Sequence, residues 1–202
     1  MLETTLSPTN PARRAMIDSQ LRTSGVTAPE VIARMNAVAR EDFVPESARA
    51  TAYMDRAIRL DGGGALPAPV VQGTILQEAA PKGSEVAIVV ANGSGYLAEL
   101  LRPLVAEVIE LTPAEAITAS TGGKPADLLL VDGAAEHLPE SLLARLADDA
   151  RIVTGTVEGS VTRLAIGRKT TDANGAKAAL FPVQDLGIPR IAAFDAPKGW
   201  SF

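Results

Sequence analysis

The chain has 202 residues, 47% of them hydrophobic and only 3% aromatic, with 24 acidic against 19 basic side chains. That is too apolar for a disordered chain, and it supplies a core that must be built from Ala, Val, Leu and Ile. The net charge of -5 argues against non-specific nucleic-acid binding, which needs a basic face, and the lack of any cysteine excludes disulfides, thiolate nucleophiles and cysteine zinc sites together.

The first nine residues read as a loose tail without the apolar stretch of a signal peptide. Asn10 and Pro11 open a helix, as cap and first-turn proline, and Gly25 stops it. Thr27 and Glu30 predict a capping box for a second helix with Val31, Ile32, Met35 and Val38 on its apolar face. A short helix is expected after Pro45. Residues 59–69, RLDGGGALPAP, form a loop, because three consecutive glycines cannot sit in a stable helix interior. A helix follows over 70–79.

From residue 84 the texture changes. Residues 85–91 are a run rich in β-branched residues, as in a strand covered on both faces. A turn at 92–95 leads into a helix over 96–104, then strands at 105–111 and 127–132. A helix is expected over 138–147, a strand pair at 151–157 and 161–168, and a last strand at 178–183. This alternation predicts an α/β fold: a doubly wound sheet, mostly parallel, with an antiparallel C-terminal edge. We expect one domain over 1–202, with helices and a loop in 10–80 and the sheet in 84–202. The longest apolar run, 86–91, is too short to cross a membrane. The expectation is a soluble cytoplasmic protein with no membrane or nucleic-acid partner; oligomeric state is not legible.

The chemistry gathers at the strand ends. The turn Asn92-Gly93-Ser94-Gly95-Tyr96 joins a buried strand to a helix. Glycines there let a ligand approach the backbone, and the helix start offers N–H groups to polar or anionic groups. Glu110 ends the next strand, where a carboxylate accepts hydrogen bonds from both hydroxyls of a ribose. Asp132 ends the third strand and is expected to face the same crevice. Each has a plainer reading, as tight-turn glycines, a solvated strand-end acid and an Asp-Gly turn. Taken in order and in register they favour nucleoside-binding ancestry. His137, the only histidine, reads as a surface loop residue, Arg13 and Arg14 as a solvated helix face, and Trp200 as a packing anchor. Ser94 has no partner base and no Gly-x-Ser-x-Gly elbow, and no metal-ligand cluster appears.

Residues 16–22 (MIDSQLR), 31–35 (VIARM), 40–45 (REDFVP) and 52–56 (AYMDR), with 92–96 (NGSGY), 128–133 (LLLVDG), Leu138 and Pro139, resemble the protein-L-isoaspartate O-methyltransferase family. The likeness runs from about Arg13 to Gly167, and the C-terminal 194–202 is also similar to it. The resemblance implies a Rossmann-like methyltransferase domain. It also implies S-adenosylmethionine as cofactor and isoaspartyl residues of proteins or peptides as substrate, methylated in protein repair. Asn92, Gly93, Ser94, Gly95 and Tyr96 would form the cofactor loop, Glu110 would hold the ribose, and the 60–72 loop would cover the substrate. The reaction needs a carboxylate held in line with a sulfonium methyl group, so positioning suffices and no acid–base pair is required.

Three departures stand beside the likeness. Pro67 occupies the family's serine position, so the sequence offers no catalytic side chain there. Ala91 and Val89 stand where the family carries a further glycine and an acid. Only sixteen residues, 111–126, separate Glu110 from Asp127, whereas a strand–helix–strand unit takes roughly 30 or more. This link has room for one short helix over 113–120, so the sheet is expected to lack its outer strand, and with it the wall against the adenine. Three readings stay open: a carboxyl methyltransferase, a non-catalytic relative kept as a binding or interaction module, and a protein for another nucleotide-like ligand.

Overall fold

The computed structural model describes residues 10–118, 123–173 and 175–196. The tail over 1–9, the last two residues of the 113–120 helix, and Trp200 lie outside the described residues.

Helix α1 (Pro11–Met16) continues as a π turn, Ile17–Leu21, and a 3-10 turn, Arg22–Ser24. Asn10 caps it, its Oδ1 accepting the Ala12 N–H at 2.9 Å, and Gly25 ends it at φ +87°. Helix α2 (Pro29–Ala37) starts one residue later than the capping box predicts. Its cap is Ala28, held extended before Pro29, with no side-chain bond. The capping comes from elsewhere in the chain: Gln77 Oε1 accepts the N–H groups of Thr27 (2.8 Å) and Ala28 (3.0 Å). The expected helix after Pro45 is a 3-10 helix, Glu46–Thr51, preceded by another at Arg40–Phe43.

Strands β1 (Ile58–Arg59) and β2 (Ala65–Leu66) form a small antiparallel hairpin around glycines 62–64. Then follow α3 (Pro69–Ala79), β3 (Val86–Val90), α4 (Tyr96–Leu101), β4 (Glu107–Leu111), α5 (Pro113–Thr118), β5 (Ala126–Ala135) and α6 (Glu140–Leu143). Three long strands complete the sheet: β6 (Leu146–Glu158), β7 (Val161–Asp172) and β8 (Gly175–Asp185). Its order is β4-β3-β5-β6-β7-β8. The first four strands are parallel, and β7 and β8 return antiparallel. Among the described residues strand β4 is the sheet edge, with no strand outside it, as the short link predicts.

One expected element is corrected. The helix over 138–147 is a single turn, α6, and Leu146 already begins β6. The Leu142, Leu146 and Ala150 spacing imitates a helix face, but Leu146 and Ala150 bury their side chains from a kinked strand. Asp149, at φ +62°, makes the kink, and Arg168 holds both its carbonyl (3.0 Å) and its carboxylate (2.7 Å).

Strand β3 is buried along its whole length, as its unbroken apolar run requires. Ala87 and Val89 face a core shared with the helices of 10–80, α3 and α4. Val86, Ile88 and Val90 face the opposite core, with Ala116, Leu142, Ile191 and Phe194. The chain leaves β3 toward β4 on one side and returns to β5 on the other, so strand order reverses at the carboxyl end of β3. None of the helices among the described residues is long and apolar enough to cross a membrane. Leu130, mid-β5, has no exposed surface. Leu130→Ala is expected to cost about 2–5 kcal/mol, read as a lower urea midpoint with an unchanged slope.

Candidate functional site

A cleft of about 450 Å³ opens at the carboxyl ends of β3 and β4, where the strand order reverses. Gly62, Gly63 and Gly64 form one wall, the turn from Ala91 to Gly95 another, and Glu110, Thr112 and Pro113 the rim. A larger hollow of about 610 Å³ lies between the N-terminal helices, lined by Arg14, Asp18, Arg22 and their neighbours. None of its lining residues belongs to a strand, so the smaller cleft at the strand ends is the candidate site.

The two glycine segments fit face to face. Ala65 donates its N–H to the Asn92 carbonyl at 2.9 Å. A Cβ on Gly93, which sits at φ +89°, would lie 2.6 Å from the Gly63 carbonyl oxygen. One on Gly95 would lie 2.9 Å from Glu110 Oε1. Gly93 needs hydrogen as its side chain, whereas the Gly95 contact is with the movable end of the Glu110 side chain. Glu110 is thus brought against the glycine turn, as the sequence order predicts. Its carboxylate is about one-third exposed and meets Arg102 at 3.2 Å. Arg102 also contacts Glu99 at 3.2 Å, so the pair is a solvated rim feature.

Asn92 and Ser94 are buried in the turn, and Ser94 Oγ accepts the Tyr96 N–H at 3.2 Å, starting α4. Tyr96 is wholly buried behind the turn and lines no part of the cleft. Its phenol is pushed up to about 12 by burial, and its ring packs edge-on to Phe43 at 5.2 Å.

Asp132 departs from expectation. It does not line the cleft; it is completely buried behind it. Both its oxygens accept from Gln72 Nε2, at 3.0 and 2.8 Å. Gln72 Oε1 in turn accepts from Arg40, which also donates to the carbonyls of Ala52 (2.8 Å) and Pro67. The guanidinium lies 5.2 Å from the centre of the Tyr96 ring. Burial pushes the Asp132 carboxyl up from an ordinary 3.8 to about 7, against the downward pull of Gln72 and Arg40. Sequence reasoning misses Arg40 and Gln72. The signal was there: Gln72 is a lone amide in an otherwise apolar helix turn, and such a group buries only with partners.

A glycine turn and an acidic strand tip at the switch point of a doubly wound sheet define a Rossmann-like, methyltransferase-type protein. Comparison with known proteins narrows this. The protein-L-isoaspartate(D-aspartate) O-methyltransferase (PCMT) family profile matches residues 12–121. A protein-L-isoaspartate O-methyltransferase 2 of Marinobacter nauticus is 30% identical, over 93% of this chain and 94% of that protein. Another, from an Anaeromyxobacter species, is 31% identical over 78% of this chain and 75% of its own length. The chain belongs to the protein-L-isoaspartate O-methyltransferase family. Its fold matches the crystal structure of a Plasmodium falciparum PCMT in complex with S-adenosyl-L-homocysteine, with a TM-score of 0.68 and 18% identity, over 91% of this chain and 99% of the other.

Asp132 gives a pH test. Its folded pKa, about 7, lies above its unfolded value of about 3.8. Its contribution to stability is therefore fully present below about pH 4 and is lost as pH rises toward 7. Relative to Asp132→Asn, the native protein should lose a few kcal/mol of unfolding free energy between those limits and nothing further above them. Parallel stability–pH curves for the two proteins would contradict the assignment.

Proposed function

We propose that the chain binds S-adenosylmethionine in the β3–β4 cleft and methylates the side-chain carboxyl of L-isoaspartyl residues in proteins and peptides. The observation that carries this reading is the Glu110 carboxylate set against Gly95 at the strand tips, in a chain of this family. The residues fit the cofactor. Gly93 and Gly95 keep clear a space that methyl groups would narrow, and Glu110 offers acceptors for two ribose hydroxyls. Arg102 holds Glu110 from the solvent side and, at an exposed pair, yields at little cost. The cofactor, when bound, supplies an electrophilic methyl group. The protein's part is to orient the acceptor carboxylate, to exclude water with the glycine 62–64 wall, and to hold the nucleoside at Glu110.

Pro67 has no hydroxyl, and its carbonyl is engaged by Arg40, so acceptor positioning falls to other groups of the loop and turn. On this reading the biological role is repair of aged proteins. The working compartment is the cytoplasm, which the cysteine-free composition suits.

Calorimetric titration with S-adenosylhomocysteine is expected to give saturable heat, and Glu110→Ala to weaken binding about tenfold or more through loss of charge-assisted bonds. No heat at millimolar ligand would sink the reading. Binding without methyl transfer to an isoaspartyl peptide would instead place the chain with non-catalytic relatives.

A further inference from the structure

Three polar side chains with no exposed surface, Arg40, Gln72 and Asp132, are linked by hydrogen bonds into one chain. Gln72 is its middle member. Its Nε2 donates to both Asp132 oxygens, at 3.0 and 2.8 Å, and its Oε1 accepts from Arg40. Arg40 carries the connection on to the Pro67 carbonyl. A carboxamide turned end for end would set its N–H groups against the guanidinium and its oxygen against the carboxylate, so only one orientation serves. An apolar set of similar volume often stabilises a fold as well or better. What directional bonds add is position, and the group positioned here is the Pro67 carbonyl.

Pro67 stands at the foot of the glycine hairpin. It follows β2 directly, and only Ala68, extended as the cap of α3, separates it from Pro69. Proline has no N–H, so the carbonyl is its one hydrogen-bonding group. Gln72 lies in the first turn of α3, its own N–H on the Ala68 carbonyl at 3.3 Å. The hairpin that forms the 62–64 wall is therefore held at two places. Toward the glycine turn, the Ala65 N–H bonds the Asn92 carbonyl at 2.9 Å. At the foot, Pro67 is held by Arg40, and through Gln72 by Asp132 on β5. None of these three side chains lines the cleft, so they act on it through the hairpin.

We propose that Gln72 is a positioning residue for the methyl acceptor: by bridging Asp132 on β5 to Arg40, it sets where the foot of the hairpin stands over the cleft. The inference rests on the reading that the cleft performs carboxyl methyl transfer. On that reading the hairpin covers the acceptor, while Glu110, Gly93 and Gly95 hold the nucleoside from the β4 tip and the turn. Breaking the bridge frees the foot and leaves the Ala65–Asn92 bond in place. The acceptor side of the cleft then loosens, and the cofactor side keeps its walls.

The test compares Gln72→Leu and Gln72→Asn with the exchange variant Gln72→Glu/Asp132→Asn. Leucine ends both bonds, and asparagine, one methylene shorter, spans to only one of the two partners. The exchange keeps an acceptor for Arg40 at position 72 and supplies a donor from position 132, with the net charge unchanged. Both single variants are expected to lower kcat/KM for an isoaspartyl peptide about tenfold or more. Their calorimetric affinity for S-adenosylhomocysteine is expected to stay within about twofold of the native protein. The exchange variant is expected to bring kcat/KM back to within about twofold of the native value. Gln72→Asn carries the comparison where Gln72→Leu does not fold. Leu130→Ala, which opens a cavity in the same core and leaves the three polar side chains intact, controls for lost stability and is expected to keep native turnover. Native turnover in both single variants overturns the proposal. So does an equal loss of turnover and of S-adenosylhomocysteine binding, an equal loss in Leu130→Ala, or no recovery in the exchange variant. A native protein that transfers no methyl group to the peptide overturns the proposed function itself, before any variant is compared.

Discussion

A guanidinium with no exposed surface must put its N–H groups on acceptors, because it cannot shed its proton. Arg40 does so by reaching the Ala52 carbonyl, the Pro67 carbonyl and the Gln72 amide, while its flat face rests near Tyr96. These partners belong to four separate stretches: the 3-10 helix at 46–51 and its end, the loop before α3, α3 itself, and α4. One cation therefore fixes how the N-terminal helices, the cleft-lining loop and the start of α4 sit on the sheet. Its countercharge, Asp132, is two bonds away through Gln72. A buried pair of this sort contributes little net stability against an apolar replacement. Its effect is on geometry, since a carboxamide bridging a cation and an anion has only one satisfactory orientation.

That fixed geometry explains why the cleft has the walls it has. The Pro67 carbonyl is tied to Arg40 and the Ala65 N–H to Asn92, so the glycines just before them, 62–64, are delivered onto the glycine turn from a short, doubly anchored hairpin. With both anchors in place the approach is close enough that Gly64 and Gly93 tolerate no Cβ. The cleft is a gap between two backbones, lined by few side chains. Recognition there must rely on main-chain groups and on a few side chains at its ends.

The architecture was largely legible from the chain, because its signals are strong. The unbroken β3 run, the glycine turn and the paired strands around Glu158 and Gly159 have local causes, and the sixteen-residue link correctly implied an edge at β4. What was not legible depended on distant partners. Thr27 has capping chemistry, but Gln77, fifty residues away, supplies the caps. The 138–147 segment has helical spacing, but pairing of Leu146 with Ala126 draws it into β6. Asp132 was placed correctly at a strand tip and wrongly in the crevice. Its direction is decided by Gln72 and Arg40, which no spacing rule connects to it. The Glu110–Gly95 contact was predictable because consecutive parallel strands set their own tips side by side.

The departures from the family pattern weigh differently once each residue has a place. Val89 is fully buried and packs into the core with the helices, so its side chain points away from the cleft and serves the sheet. Ala91 lines the cleft, yet its N–H continues the ladder to the Leu111 carbonyl at 2.9 Å and its φ is not positive. A methyl group is tolerable where the backbone is still strand-like. Glycine persists at Gly93 and Gly95; the first is required by its φ and a close carbonyl, and the second lies against the end of the Glu110 side chain. The sheet edge at β4, beyond which no strand lies among the described residues, is the larger change. With β4 at the sheet edge, the rim beyond Glu110 is made, among the described residues, by Thr112 and Pro113. A nucleoside there gains less apolar burial than in a deeper groove. On the proposed reading, its binding then leans on polar contacts along the strand tips, Glu110 first among them.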